Sequence, residues 1–468
     1  MMLISEAAKA MNAKVIGADA AFESVGADSR KISQGQLFVA LKGENFDGHT
    51  FAKQALAQGA SAVLVENEST QAQPALVVKD TLLGLGQLAS YWRQKFTIPI
   101  AAVTGSNGKT TVKEMLASIL RAAVNSADEV LATEGNLNNH IGSPMTLLKL
   151  RPQHRYAVIE MGMNHSGEIS YLTNLAKPRV AVIVNAGSAH IGELGSFEAI
   201  AKAKGEIFEG LADDGIAVIN ADDVFASLWQ GLAAERKTVT FGLNNNADIS
   251  ATYELKPNAS KLCITTPQGV IDLLLPAPGL HNVMNALAAT ATATAMEISL
   301  PAIKTGLQNY AGVKGRLQHL EGLNGALVID DCYNANPMSM KAAIDVLIAQ
   351  AGEKLLVLGD MGELGKDAAA LHAEIGAYAK DAGVHRLFTL GQLSEEMIKA
   401  FGAHGQHYKT PQDLVADLLK ELKQGVTVLV KGSRFMAMER IVNEIILKDE
   451  TQKNIAQRNR AQTNGESH

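Results

Sequence analysis

An α/β fold built from three successive units is what this sequence predicts, with a mostly parallel, phosphate-loop-bearing sheet in the middle unit. Three observations predict it. Short continuous apolar runs alternate with amphipathic helical stretches, the pattern of strands covered on both faces and joined by crossover helices. The chain has 468 residues, more than one hydrophobic core usually organises. The segment VTGSNGKTTVKEM, which starts at Val103, reads as an apolar strand, a glycine-rich turn and a helix in that order.

The first unit spans residues 1–82. It opens on MMLISEAAKAMNAKVIG, an amphipathic helix without the basic, then apolar, arrangement of a signal peptide. The runs QLFVAL, SAVLVE and ALVVKD around the helical HTFAKQALAQGA complete a small α/β unit. The second unit, 83–315, is led in by the helical TLLGLGQLASYWRQKF. Its strands are IPIAAVTG, YAVIEMGM, VAVIVNAG and GIAVINAD, and its helices include TTVKEMLASILRAA and FEAIAKAKGEIFEGL. The Thr-rich passage from TVTFGL to GVIDLLLPAPG is expected to form antiparallel edge strands before the helix NVMNALAATATATAMEI. In the third unit, 316–448, GALVIDD, KLLVLGDMG, RLFTLG and VTVLVKGS alternate with helical stretches at βαβ spacing. Residues 449–468 are polar, lack an apolar stripe and are expected to be disordered.

Composition excludes several function classes. At 47% hydrophobic and 19% charged the chain is globular, and its net charge of -6 gives no basic excess for a nucleic-acid partner. Cys263 and Cys332 are far apart and lack metal-ligand spacing, so both are expected to be reduced thiols of a cytoplasmic protein. No stretch approaches about eighteen charge-free apolar residues, which argues against membrane insertion. The composition is compatible with a monomer.

The phosphate loop is the sharpest signal. Gly105 and Gly108 let the backbone approach an anion, and a helix starting at Lys109 presents unsatisfied N–H groups to it. Lys109 is expected to reach the β/γ phosphates and the Thr110 hydroxyl to suit Mg2+, with Ser106, Asn107 and Thr111 completing the cradle. Only two residues separate the glycines, where the commonest form of the loop has four. The loop therefore indicates ATP without choosing among kinase, ligase and motor.

Other candidates stand at strand exits, where ligands gather in open α/β sheets. Glu160 ends an apolar strand and suits Mg2+ or a water; its structural alternative is an N-cap or a rim charge. His165 and Glu168 are weaker, since they suit the following helix equally well. His190 lies beyond the next strand, as a metal-ligating imidazole or an ordinary loop histidine. Lys202 and Lys204 sit on a helix, where a solvated face is the plain reading. Asn282 and Asn285 lie one turn apart at a helix start, Arg316 suits a phosphate, and Asp331, Tyr333, Asn334 and Asn336 mark another strand exit. Asparagines in turns also have an ordinary structural role. The LGDMGELG loop and the group Lys431, Ser433 and Arg434 suit an anionic ligand. Candidate sites on separate units imply a reaction assembled between them, with closure excluding water.

Taken together, TGSNGKTTVKEM, GNLNNHIGSPMTLL, VIEMGMNHSGEI, AHIGELGSFEAIAKAKGEIF, PGLHNVMNALAA, GRLQ, DDCYNANPMSM, LGDMGELG and VKGSR closely resemble the Mur ligases of peptidoglycan precursor synthesis, over residues 1 to about 447. The resemblance implies a three-domain architecture with a C-terminal dinucleotide-fold-like domain. It further implies addition of D-alanyl-D-alanine to UDP-N-acetylmuramoyl-tripeptide by way of an acyl phosphate, using ATP and two Mg2+ ions.

Carried over residue by residue, it places Ser29, Arg30, Lys42 and Gly43 of DSRKISQGQLFVALKG at the uridine end of the substrate. Lys109 contacts phosphate; Thr110, Glu160, His190 and a carbamylated Lys204 hold metal; Asn282, Asn285, Arg316 and Asp331 contact ATP. Lys202 is the alternative register for the carbamate, less favoured by the spacing AKAKGEIF. Asn138, Asn139, Asn334, Asn336, Lys431, Ser433 and Arg434 fall on the peptide side. Two departures narrow the choice: the Asp-Asn-Pro-Arg segment of the sibling that adds the third amino acid is missing, and folylpolyglutamate synthases lack the uridine domain. The resemblance does not identify the base that deprotonates the incoming amine; His190, if not a metal ligand, is one candidate.

Overall fold

The computed structural model describes residues 1–43, 46–187 and 195–447; His190 and the polar segment 449–468 lie outside these residues. Among the described residues three large sheets follow one another along the chain. The first has five strands in the order Lys14–Ile16, Ala75–Val77, Ala62–Val65, Gln36–Val39 and Ser24–Gly26, parallel except for its Lys14–Ile16 edge. The N-terminal amphipathic stretch forms helix Ile4–Met11, which buries Ile4, Ala7, Ala8 and Met11.

The second sheet has six parallel strands in the order Lys237–Phe241, Ile216–Asn220, Val180–Ile183, Ile100–Thr104, Tyr156–Glu160 and Val130–Ala132. Its inner strands are apolar throughout because both faces are covered: Ile100 to Val103 and Val180 to Ile183 are fully buried. The expectation of antiparallel edge strands is corrected in one part. TVTFGL forms the parallel edge Lys237–Phe241, and only Ser250–Lys256, Ala259–Thr266 and Gly269–Leu275 make a separate antiparallel sheet. Alternation in burial along the last two strands marks a sheet covered on one face, with helix Leu280–Ala295 beneath it.

The third sheet runs Gln318–Glu321, Leu327–Asp331, Val426–Lys431, Glu353–Gly359, Arg386–Leu390 and Gly405–Tyr408, all parallel except the first strand. Insertion of Val426–Lys431 between Leu327–Asp331 and Glu353–Gly359 reverses the strand order there. The crevice beyond those three strands is a switch point of the kind that receives ligands.

Cores join these sheets unequally. One continuous apolar core runs from the first sheet into one face of the second. Helix Thr81–Arg93, capped by the Asp80 carboxylate accepting the Leu83 N–H at 2.9 Å, supports that junction. Its Trp92 indole donates to the Leu150 carbonyl at 3.1 Å, and Arg93 donates to the Ala176 carbonyl at 2.9 Å. The third sheet keeps its own two cores, whose buried members all follow residue 325. It meets the second unit through polar contacts, such as the Gln350 amide donating to the Pro257 carbonyl at 2.7 Å.

Trp229 anchors the shared core, fully buried with its indole donating to the Ala201 carbonyl at 2.9 Å. Trp229→Ala is expected to lower unfolding free energy by about 3–5 kcal/mol, read from the midpoint of a urea titration, because it opens a cavity and orphans that carbonyl.

Candidate active site

A cleft of about 1190 Å³ lies where the second and third units face each other, lined by loops from both. Its floor is the phosphate loop between strand Ile100–Thr104 and helix Lys109–Ala122. Gly108 caps the helix at φ 79°, and a Cβ there would sit 2.3 Å from the Asn285 side-chain oxygen. A Cβ at Gly105 would lie 2.9 Å from that of Val184. Both glycines are thus required by close approach, and Gly108 by its backbone as well. The loop is braced from behind: Ser106 N–H donates to the Asn185 carbonyl at 3.0 Å, and Asn107 N–H to the Asn185 side-chain oxygen at 2.9 Å.

Lys109 Nζ donates to the Gly105 carbonyl at 2.7 Å, so the ammonium lies across the mouth of the loop. Thr110, buried, donates to Glu160 Oε1 at 3.3 Å and accepts from Arg316 Nη2 at 3.0 Å. Asn138 Nδ2 donates to the same Glu160 oxygen at 2.8 Å, while Glu160 Oε2 is buried without a hydrogen-bond partner. The Glu160 N–H is held by the Thr133 hydroxyl at 3.0 Å.

The two helix lysines separate by environment. Lys202 is exposed and pairs with Glu198 at 2.8 Å, whereas Lys204 is buried and lines the cleft. Burial, with the Lys109 ammonium nearby, drives the Lys204 amine well below the ordinary lysine range. Lys109 is itself lowered by burial, with Glu160 opposing, Arg316 adding to the fall and Glu363 opposing. Three basic groups therefore share a confined space with Glu160, an arrangement that suits a polyanion.

From the third unit, Arg316 stacks on the Tyr333 ring at 4.2 Å while reaching Thr110. Asn336 caps helix Pro337–Ile348 and its Nδ2 donates to Asn107 Oδ1 at 2.7 Å, directly bridging the units. The buried Lys431 pairs with the buried Asp331 at 2.6 Å and donates to the Asn334 carbonyl at 2.8 Å. Ser433 Oγ donates to the Ala335 carbonyl at 3.2 Å. Asn282 Nδ2 donates to the Pro278 carbonyl at 2.8 Å, and Asn285 Nδ2 to Asn282 Oδ1 at 3.2 Å.

The cleft thus gathers Ser106 to Lys109, Thr111, Asn138, Glu160, Lys204, Asn282, Asn285, Arg316, Asp331, Asn334, Asn336, Lys431, Ser433 and Arg434, with Thr110 joined through its hydrogen bonds. Asn139 instead accepts the Ile141 and Gly142 N–H groups at 3.1 and 2.9 Å. Glu168 accepts from Asn164 and His165 N–H groups, the helix-start role considered for it. Ser29, Arg30, Lys42 and Gly43 do not line the cleft. Arg30 is exposed and paired with Asp28 at 2.8 Å, its guanidinium holding that carboxyl down at about 2.

Several contributors escaped the sequence reading. Asn185 lies just beyond strand Val180–Ile183, at a strand exit as Glu160 does, which was an available signal. Glu206 accepts the Gly167 N–H and Ser166 hydroxyl at 2.8 Å each, tying the end of the Lys204 helix to the loop after Glu160. His281, beside Asn282, is pushed down to about 4 by burial, with Asp331 opposing and Lys431 adding to the fall. Among the described residues no three His, Cys, Asp or Glu side chains cluster as a metal cage. Glu160, the Thr110 hydroxyl and substrate phosphate oxygens nevertheless form the donor set Mg2+ ordinarily takes, and the orphaned Oε2 fits it.

The comparisons with known proteins agree with this architecture. The chain matches the Mur ligase family catalytic domain over residues 21–93, the Mur ligase middle domain over 103–293, and the Mur ligase, glutamate ligase domain over 315–434. The chain belongs to the Mur ligase family. Within it, the chain is 44% identical over 446 residues to the UDP-N-acetylmuramoyl-tripeptide--D-alanyl-D-alanine ligase of Escherichia coli strain K12, covering 94% of this chain and 98% of that one. It superposes on a crystal structure of MurF from Acinetobacter baumannii with a TM-score of 0.88 at 37% identity, covering 94% and 97% of the two chains. MurF ligase from Thermotoga maritima in complex with ADP matches with a TM-score of 0.80 at 26% identity, covering 93% and 98%.

The His281 environment makes stability depend on pH. A histidine whose folded value lies below its unfolded one, about 6.5, binds fewer protons in the native state, so its contribution is present above pH 6.5 and lost as the pH falls toward 4. His281→Gln is expected to reduce the loss of stability between pH 7.5 and 4.5, measured by denaturant midpoints at both.

Proposed function

We propose that the protein is an ATP-dependent amide ligase that joins D-alanyl-D-alanine to UDP-N-acetylmuramoyl-tripeptide, giving the UDP-linked pentapeptide, ADP and phosphate. The observation that carries this reading is the 44% identity to the Escherichia coli ligase, sustained over 94% of this chain and 98% of that one. The cleft supports it, because the Lys109 and Arg316 side chains beside a glycine-rich loop at a helix start suit the phosphates of ATP.

A carboxylate is a poor electrophile toward an amine. In this mechanism the terminal carboxylate of the tripeptide attacks the γ-phosphorus, forming an acyl phosphate and releasing ADP. The Lys109 ammonium and the loop N–H groups offset charge on the phosphoryl oxygens, with Arg316 arriving from the third unit. The amine of the dipeptide then attacks the acyl carbon, and the tetrahedral intermediate expels phosphate. Magnesium, when bound, would neutralise charge on the β and γ phosphates. Thr110 and Glu160 would hold one ion; a second would take His190 and Lys204 as its carbamate. A depressed Lys204 amine favours that modification, since only the neutral amine adds CO2 and the product is an anion.

Asn282, Asn285 and Asp331 fall to the nucleotide in this reading; Asn138, Asn334, Asn336, Lys431, Ser433 and Arg434 to the peptide side. Asn139 would support the Asn138 loop, and Ser29, Arg30, Lys42 and Gly43 would take the uridine end. Units 1–82, 83–315 and 316–448 would serve UDP substrate, ATP and dipeptide in turn, in a monomeric cytoplasmic enzyme. No helix among the described residues is long and apolar enough to cross a membrane.

Phosphate release is measured with ATP, Mg2+, UDP-N-acetylmuramoyl-tripeptide and D-alanyl-D-alanine, omitting each in turn and weighing the product. Release requiring both peptide substrates, with pentapeptide formed, is expected; release indifferent to the dipeptide would reduce the protein to an ATPase or switch. Lys109→Ala is expected to lower turnover by roughly 100-fold or more while leaving UDP-substrate affinity, read by calorimetry, near wild type. Lys204→Ala is expected to lose activity and regain part of it with added short-chain carboxylic acids; a variant with normal activity would sink the carbamate.

A further inference from the structure

The helix that follows the phosphate loop carries a charge into the interior. Lys113, on helix Lys109–Ala122, is fully buried and stands behind the cleft, not among the residues that line it. Burying an ammonium is costly unless it is paired and hydrogen-bonded. Two acceptors meet this one: Nζ donates to the Thr133 carbonyl at 2.7 Å and pairs with the Glu114 carboxylate at 2.6 Å. Glu114 is a partly exposed neighbour on the same helix, so it is the Thr133 contact that ties Lys113 to another element.

Thr133 follows strand Val130–Ala132 and is itself buried. Its N–H donates to the Val158 carbonyl at 3.0 Å, which continues the pairing with strand Tyr156–Glu160. With its N–H held by that strand and its carbonyl by Lys113, the backbone of Thr133 is fixed on both sides. Its hydroxyl is thereby placed to accept the Glu160 N–H at 3.0 Å. Beyond Thr133 the chain enters the loop that brings back Asn138, whose Nδ2 donates to Glu160 Oε1 at 2.8 Å and whose carbonyl accepts the Gly162 N–H at 2.8 Å. One segment thus holds both the backbone and the carboxylate of Glu160, and Lys113 pins its start.

The other end of this tether is the helix itself. Thr110 lies three residues before Lys113, on the same flank one turn back, and its hydroxyl donates to Glu160 Oε1 at 3.3 Å. The contacts close a ring from the helix through Lys113, Thr133 and Glu160 to Thr110 and the helix again. A methionine would fill much the same volume without closing it.

We propose that Lys113 is a positioning residue which, through Thr133, sets the Thr110 and Glu160 oxygens at the spacing that takes Mg2+. This rests on the reading of those two side chains as the Mg2+ donors. A lysine that only stapled the helix to the sheet would bear on stability and leave metal binding alone.

The test uses the full-length enzyme, Lys113→Met, Thr133→Val, the double variant and Thr133→Ser. ADP affinity is measured by calorimetry with Mg2+ and with EDTA, alongside Tm and the Mg2+ dependence of phosphate release. In Lys113→Met and Thr133→Val, affinity in EDTA is expected to match wild type, while the gain conferred by Mg2+ falls by roughly 10-fold or more. Phosphate release should need correspondingly more Mg2+, with KM for the UDP substrate near wild type. The double variant should be no worse than the poorer single one, because both cut the same chain of contacts. Thr133→Ser, which keeps the hydroxyl, should behave as wild type. If Lys113→Met fails to fold, Thr133→Val carries the test by itself. An unchanged Mg2+ gain in either folded single variant, whatever its Tm, or additive losses in the double one, would overturn the proposal. If Mg2+ adds nothing to ADP binding by the wild type, the reading of Thr110 and Glu160 as donors fails, and the proposal with it.

Discussion

The cleft turns on the crowding of Lys109 with Lys204 and Arg316, in a space shared with the carboxylate of Glu160. Like charges on buried side chains repel strongly, and a protein can relieve this by giving up protons or by binding anions. Lys204 does the first, since burial and Lys109 together depress its amine. The phosphate loop provides for the second, with N–H groups at the start of a helix and a glycine on each side. The same charge balance makes the cleft receptive to ATP.

The units are joined in two different ways. The first and second share a continuous apolar core and behave as one scaffold for the phosphate loop. The third keeps separate cores and touches the second through Arg316 on Thr110, Asn336 on Asn107 and Gln350 on the Pro257 carbonyl. Polar contacts of this kind are cheaper to remake than an apolar interface. Within that unit the three loops at its strand-order reversal are cross-linked by Ser433, Asp331 and Asp360, so it presents a preformed surface.

Much of this was legible in the sequence, for local reasons. Apolar runs such as IAAV and VAVI named the buried parallel strands because both faces of such a strand need apolar side chains. GSNGKTT named the phosphate loop because its backbone geometry and its helix start are encoded within a few residues. Glu160 was found through its place at a strand exit. By contrast, TVTFGL was assigned the wrong strand direction, because orientation depends on which neighbour a strand meets and leaves no trace in its own residues.

What the sequence by itself determined is therefore the set of elements, the phosphate loop and the family, each written in short-range pattern or in motif spacing. Only the tertiary structure decided which of two neighbouring lysines is buried, and that Asn107 and Asn336 meet across 229 positions. The reason is physical. Burial and charge crowding are properties of the neighbours that folding brings together, and those neighbours are distant along the chain.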